Sequence, residues 1–77
     1  MELTEAVVKR LEEVMREKGF SAYKLHRKGG IAKSTLSQVI NGTRKSIELT
    51  PLYKILATME VSLGEFFTSP IFAEVTD

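Results

Sequence analysis

The sequence predicts an all-α fold, a compact five-helix bundle made of short helices and short connections. Apolar residues recur at intervals of three and four, the spacing that places them on one face of an α-helix. Glycine, serine and asparagine interrupt this pattern where helices commonly begin and end. The 77 residues are enough for one domain, and a hydrophobic content of 43% is sufficient for a packed core.

The first helix is predicted to begin with Thr4 as its N-cap, because a threonine hydroxyl accepts a hydrogen bond from a free N–H group of the first turn. Gly19 is expected to end it in the left-handed conformation, with Phe20 packing back onto the helix. Its inward face is predicted to consist of Val7, Leu11, Val14 and Met15.

Two short helices joined by a tight turn are predicted next. The second helix covers roughly residues 21–28, with Ser21 as its N-cap and Gly29-Gly30 at its end. The third covers roughly residues 33–41 and ends at Asn41-Gly42, since both residues tolerate positive φ. The buried residues of this unit are predicted to be Leu25, Ile31, Leu36, Val39 and Ile40.

The fourth helix is predicted to begin between Glu48 and Pro51, with Thr50-Pro51 as N-cap and first helical residue. A short fifth helix follows Ser62, and residues 68–77 form a tail. The inward residues are predicted to be Leu52, Ile55, Leu56 and Met59 in the fourth helix and Leu63, Phe66 and Phe67 in the fifth.

The charges are strongly separated along the chain. Between residues 18 and 47 there are seven of the 11 basic residues and no acidic residue, so this segment has a charge of +7. The remainder carries all 10 acidic residues and a net charge of −6. A segment of one sign is typical of proteins that bind a polyanion, of which nucleic acid is the commonest. The seven are Lys18, Lys24, Arg27, Lys28, Lys33, Arg44 and Lys45.

Two runs of the sequence resemble the lambda-repressor-like Cro/XRE helix-turn-helix family. The first is K-G-F-S-A-Y-K-L-H-R-K-G-G-I-A-K-S-T-L-S-Q-V-I-N-G-T-R-K, from Lys18 to Lys45. The second, from Leu52 to Phe67, resembles the fourth and fifth helices of that family. The resemblance implies a Cro/XRE-type domain over residues 1–67 and a C-terminal tail over residues 68–77.

The resemblance implies that the helix at residues 33–41 is the recognition helix, which lies in the major groove of DNA. Lys33, Ser34 and Gln38 match base-contacting positions of the family, and Thr35 and Ser37 lie nearby. These side chains are suited to reading base edges, because lysine donates to guanine O6 and N7 and glutamine pairs with adenine N6 and N7. The alternative is that these polar side chains only form a solvated helix face.

The resemblance also implies contacts to the phosphate backbone. The matching residues are Ser21, Tyr23, Asn41, Thr43, Arg44 and Lys45. Partial packing is the alternative for Tyr23, and ordinary soluble surface is the alternative for Arg44 and Lys45, although the charge separation favours phosphate contact.

The chain departs from the family pattern at several positions. Ala32 replaces a common serine or threonine cap, so the third helix is expected to lack a side-chain cap. Glu60 replaces a glycine and is expected to adopt a strained conformation or to end the fourth helix differently. His26 is expected to occupy space left by Gly29.

A further departure concerns a pair of positions. Met15 and Ile40 stand where many members hold an arginine–glutamate ion pair, and they are expected to touch in the core.

The function expected from this resemblance is that of a sequence-specific double-stranded DNA-binding transcriptional regulator, a repressor that acts by operator occupancy. It is expected to be cytoplasmic and to bind a palindromic operator as a homodimer. The alternative is a protein-interaction module on the same fold that has lost DNA binding. No catalytic residue, metal site, cofactor or membrane segment is expected, because the chain has one histidine, no cysteine and no long apolar run. The tail either forms a dimer patch or covers the protein's own core.

Overall fold

The computed structural model describes residues 1–42 and 46–76, and over these residues the all-α five-helix fold is confirmed. This part of the chain contains five α-helices, a short 3₁₀ helix and no strand. The α-helices are α1 (Leu3–Lys18), α2 (Ala22–Gly29), α3 (Lys33–Ile40), α4 (Leu49–Thr58) and α5 (Leu63–Phe67). The C-terminal 3₁₀ helix spans Pro70–Glu74.

One hydrophobic core joins all five α-helices. Full burial of a leucine or phenylalanine side chain contributes roughly 1.5–3 kcal/mol, so this core dominates the stability of the bundle. Met15 and Ile40 both pack at its edge. A direct contact between these two side chains stays a prediction, which a double-mutant cycle would test. The core residues are Val7, Leu11, Val14, Leu25, Ile31, Leu36, Val39, Leu52, Ile55, Leu56, Met59, Val61 and Phe66.

The predicted start of α1 is wrong and its predicted end is confirmed. Glu2 is the N-cap, because its carbonyl accepts the first helical hydrogen bond from the Ala6 N–H at 3.1 Å. Thr4 therefore lies inside the first turn. At the other end Gly19 has a φ of 70°, and the Phe20 N–H donates to the Met15 carbonyl at 2.8 Å. These are features of a Schellman motif, which stops the helix and turns Phe20 back onto the core.

The second and third helices form the predicted helix-turn-helix. The Ser21 hydroxyl caps α2 by accepting from the Lys24 N–H at 3.1 Å. Gly30, with a φ of 64°, ends α2, and α3 begins after Ala32 without a side-chain cap, as predicted. At the C-terminal end of α3, Asn41 is the C-cap and Gly42 has a φ of 64°. The turn between α2 and α3 therefore covers residues 30–32, one residue fewer than predicted, because Gly29 is the last residue of α2.

The expected relation between His26 and Gly29 is wrong. A Cβ at Gly29 would lie 2.4 Å from Thr58 Oγ1 and 3.0 Å from Ile31 Cδ1, so those side chains occupy the space. His26 instead places Nδ1 2.7 Å from the Ile31 carbonyl oxygen. Because a carbonyl oxygen only accepts, Nδ1 carries the proton and donates across the turn. The histidine thus fastens the end of α2 to the turn.

The fourth helix begins within the predicted window, but its cap assignment is wrong. Glu48 is the N-cap, so Thr50 and Pro51 lie within the first turn. Proline is tolerated in the first turn because its missing N–H would have no partner within the helix. The prediction for Glu60 is confirmed: its φ is 60°, and the N–H of Val61 donates to the Leu56 carbonyl at 2.9 Å. A glutamate therefore holds the left-handed position that ends α4.

The fifth helix and the tail pack differently from each other. Phe66 is fully buried, whereas Leu63 and Phe67 are 39% and 37% exposed, so the prediction that all three face inward is wrong. A helix of little more than one turn buries only one of its edges. The ring of Phe72 in the 3₁₀ helix packs against the core and lies 4.9 Å from the ring of Phe67.

The tail is also joined to the N-terminus of the chain. The Met1 amino group donates to the Glu74 carbonyl at 3.2 Å, and the Thr76 N–H donates to the Met1 carbonyl at 3.0 Å. Residues 70–76 therefore cover their own domain, while a role in dimerisation stays a prediction.

Glu60→Gly is predicted to stabilise the protein by about 1 kcal/mol, because glycine adopts a φ near 60° without the steric cost of a Cβ. Urea unfolding followed by circular dichroism would measure this. The matched control is Glu12→Gly, at an exposed position inside α1, which should destabilise by about 1 kcal/mol. A loss of stability in Glu60→Gly would contradict the prediction.

Truncation after Thr68 is predicted to lower the free energy of unfolding by about 2 kcal/mol, because it removes the half-buried Ile71 and Phe72. Analytical ultracentrifugation should find the same oligomeric state before and after truncation. A truncated protein that changes from dimer to monomer would instead assign the tail to a dimer interface.

Candidate nucleic-acid interface

One exposed polar stripe runs along α3 and continues into its C-cap. It consists of Ser34, Ser37, Gln38 and Asn41, which are spaced as i, i+3, i+4 and i+7 and therefore share a helix face. Gln38 is half-buried and the other three are exposed. The opposite face carries the buried Leu36 and Val39, so packing of these two side chains turns the polar stripe outward.

The two remaining predicted base-contacting residues lie on opposite sides of this stripe. Lys33 is exposed on the side of α2 and lines a groove of about 400 Å³ together with Tyr23 and His26. Thr35 is half-buried on the side of α4, where it lines a second groove with Tyr53. The structure therefore brings Ser34, Ser37 and Gln38 together and places Lys33 and Thr35 at the edges.

Hydrogen bonds orient several of the polar groups. Asn41 Nδ2 donates to Ser37 Oγ at 3.1 Å, which leaves the Ser37 O–H as a donor to an external group. Arg27 Nη1 donates to the Tyr23 hydroxyl oxygen at 3.3 Å, across one turn of α2. Tyr23 is 62% exposed, so its hydroxyl is open to an external acceptor, and the choice between phosphate contact and partial packing stays a prediction. The Ser21 hydroxyl, by accepting from Lys24, likewise keeps its own O–H as a donor.

Three of the predicted phosphate-contacting residues cannot be placed. Thr43, Arg44 and Lys45 lie outside the described residues. Ser21, Tyr23 and Asn41 are all exposed; Tyr23 and Asn41 line the groove between α2 and α3 that also contains Lys33. Tyr23 and Asn41 are thus on the surface at the polar stripe, and Ser21 is exposed at the start of α2.

The basic segment is not neutralised within the part of the chain that the structure describes. Over residues 18–42 no lysine or arginine forms an ion pair with a described carboxylate. The two described ion pairs, Lys9–Glu5 at 3.6 Å and Arg10–Glu13, both lie within α1. Lys24 instead places its ammonium 4.5 Å from the ring centre of Phe20, a cation–π contact that leaves the charge in place. The positive charge of residues 18–42 is therefore available to an external anion.

Two exposed residues of α4 were not among the predicted site residues. Tyr53 and Lys54 lie beside Thr35 along the second groove. They lie outside the basic segment, so the charge separation did not predict them as site residues. The signal that was available is the dipeptide itself, since Tyr53-Lys54 repeats the Tyr23-Lys24 of α2.

Two other kinds of site are absent from residues 1–42 and 46–76. No three histidine, aspartate or glutamate side chains there come close enough together to bind a metal ion. None of the described helices combines the length and the apolar character that crossing a membrane requires.

Comparison with protein families identifies the domain. The model of the Cro/C1-type HTH DNA-binding domain matches residues 10–70, which include all five α-helices except the first two turns of α1. Comparisons with curated proteins and with solved structures gave no match. The family match agrees with the order of the helices and with the exposed polar stripe of α3. The chain therefore belongs to the Cro/C1-type helix-turn-helix family of DNA-binding domains.

Proposed function

We propose that this protein is a sequence-specific double-stranded DNA-binding transcriptional regulator that represses by occupying an operator. The observation that carries the proposal is the polar stripe of α3, which is exposed beside the basic residues of positions 18–42, and none of these forms an ion pair with a described carboxylate. The major groove of DNA is about 12 Å wide and accepts an α-helix of about 10–12 Å in diameter. In that position the stripe faces the base edges.

The proposed roles follow from the chemistry of each side chain. Gln38 presents an amide that pairs with the N6 and N7 atoms of adenine, and Lys33 donates to guanine at the N-terminal end of α3. Ser34 and Ser37 supply hydroxyl donors to neighbouring base edges, and Thr35 supplies a methyl group and a hydroxyl at the α4 edge.

The backbone contacts come from the flanking groups. Ser21 and Tyr23 at the start of α2, with Asn41 at the end of α3, donate to phosphate oxygens. Thr43, Arg44 and Lys45 are assigned to phosphate contacts from the sequence alone, because two cationic side chains next to the recognition helix attract the phosphate backbone.

We propose that the active form on DNA is a homodimer. A helix of eight residues contacts few base pairs, and a second copy related by a two-fold axis doubles the recognised sequence. The operator is then palindromic, with the two recognition helices about 34 Å apart on one face of the duplex. Repression by occupancy needs neither a cofactor nor a catalytic group, and it takes place in the cytoplasm.

Selection of bound sequences from random duplex DNA would test this function. Enrichment of a palindrome whose half-sites are separated by about one helical turn would support both the sequence specificity and the dimer. The same fold acting only as a protein-interaction module would enrich no sequence. That outcome, together with no binding at low salt, would overturn the proposal.

DNA binding is predicted to weaken steeply with salt. If about five phosphates are contacted by each subunit, the logarithm of the binding constant should fall with a slope of roughly −4 to −5 per subunit against the logarithm of salt concentration. Replacing Arg44 and Lys45 by alanine should reduce affinity for all sequences alike and flatten this slope by roughly 2. Fluorescence anisotropy at several salt concentrations measures both quantities.

A double replacement on α1 is the control for this experiment. Lys9 and Arg16 are basic but lie outside the basic segment, so their replacement by alanine lowers the net charge equally. The prediction fails if this control changes the slope as much as the Arg44 and Lys45 replacement does.

Gln38→Ala is predicted to cost about 1–3 kcal/mol on the selected sequence and much less on an unrelated duplex, because it removes a bidentate contact to a base. Competition binding with the two duplexes measures the difference. Glu12→Ala, at an exposed position on α1, is the control and should change neither affinity appreciably. Equal losses of Gln38→Ala on both duplexes would assign Gln38 to positioning instead of base recognition.

A further inference from the structure

We propose that α4 carries a second phosphate-binding site, in which Tyr53 and Lys54 contact the DNA backbone on the side of α3 opposite to α2. This inference rests on the proposed DNA-binding function and adds to it a group of contacts outside the helix-turn-helix. It assigns a role to two exposed residues that the basic segment does not include.

The proposed site is a groove between α4 and the turn that joins α2 to α3. Its volume is about 520 Å³. Among the described residues no carboxylate lines it, and the one charged side chain that does so is Lys54, so the groove suits an anion. The lining residues that the argument uses are Ala32, Thr35, Pro51, Tyr53 and Lys54.

The side-chain polar groups of Tyr53 and Lys54 have no described partner. Tyr53 is 54% exposed, and its hydroxyl forms no hydrogen bond within residues 1–42 and 46–76. Lys54 is exposed and forms no ion pair with a carboxylate in the same part of the chain. A tyrosine hydroxyl and an ammonium group are common donors to phosphate oxygens.

The position of the groove relative to α3 identifies the occupant. Thr35 lines it, and Thr35 and Gln38 line a smaller groove with Pro51, so α4 runs beside the recognition helix. When a helix occupies the major groove, the two sugar-phosphate backbones lie on either side of it. The flank formed by α2 faces one backbone, and the flank formed by α4 faces the other.

The two flanks present the same chemistry. On the α2 flank an exposed Tyr23 shares its groove with Lys33, and on the α4 flank an exposed Tyr53 shares its groove with Lys54. Each tyrosine lines a groove that borders α3. The inference is therefore that α3 is held in the major groove by phosphate contacts on both sides, from Tyr23 on the α2 flank and from Tyr53 and Lys54 on the α4 flank.

The test combines protein variants with DNA in which single phosphates are made uncharged. Lys54→Gln should weaken binding to the selected duplex and to an unrelated duplex alike, by about five- to tenfold, and reduce the salt slope by about 1. Tyr53→Phe, which removes only the hydroxyl, should weaken binding to both duplexes by a smaller factor. Lys9→Gln is the control, since it changes the net charge equally on α1.

Methylphosphonate substitution at each phosphate in turn locates the contact. For the parent protein, a methylphosphonate at one or two positions on the strand facing α4 should weaken binding. The affinity of Lys54→Gln should not change when the same phosphates are replaced. Both residues are exposed, so the variants should unfold at the same temperature as the parent.

The two proposals fail in different ways. If the parent binds DNA with a steep salt slope but Lys54→Gln behaves as Lys9→Gln does, the α4 site is wrong and the DNA-binding function stands. If the parent shows no salt-dependent binding to either duplex, both are overturned.

Discussion

The orientation of the recognition helix depends on the close approach of α2 to α4 at Gly29. A Cβ at this position would lie 2.4 Å from Thr58 Oγ1, which is too short for any relaxed contact. Moving the Thr58 hydroxyl away would break the hydrogen bond that it donates to the Lys54 carbonyl at 2.8 Å. A larger residue would therefore either break this hydrogen bond or push α2 away from α4. Since α3 follows α2 after a turn of three residues, that displacement would also change the angle at which α3 is presented.

The turn between α2 and α3 is stabilised by two interactions that meet at Ile31. Its side chain is buried in the core beside Gly29, and its carbonyl accepts from His26 Nδ1 at 2.7 Å. One residue thus anchors the turn to the core and to the end of α2. This compensates for the missing cap at Ala32, because the path into α3 is set by the turn and does not depend on a side chain at the helix start.

The separation of charge in the sequence persists in the folded protein, and two basic residues outside the basic segment form their ion pairs within α1. Lys9 and Arg10 pair with glutamates of the same helix, and Arg10 Nε also donates to the Phe66 carbonyl at 3.0 Å. Exposed pairs of this kind contribute little to stability, typically about 0–1 kcal/mol. Their consequence is electrostatic, since the carboxylates of Glu5 and Glu13 pair within α1 and the cations of residues 18–42 form no ion pair with a described carboxylate.

The sequence by itself determined the number and order of the α-helices, most of the core and the ends marked by Gly19, Gly30 and Glu60. Helix ends were predicted better than helix starts, because a left-handed residue permits no continuation of the helix. Cap-forming residues such as Thr4 and Thr50 are equally compatible with the first turn, so they do not define a start. These features are local, and the spacing of residues along the chain is enough to specify them.

Only the tertiary structure decided how the polar residues of α3 are divided among the stripe and its two edges. Helical periodicity places Ser34, Ser37 and Gln38 on one face, but it does not say which helix lies beside Lys33 and which lies beside Thr35. The same is true of Tyr53, which is distant in sequence from the helix-turn-helix and lies beside it in space. Such neighbours depend on packing between segments far apart in the chain, and local spacing carries no information about that packing.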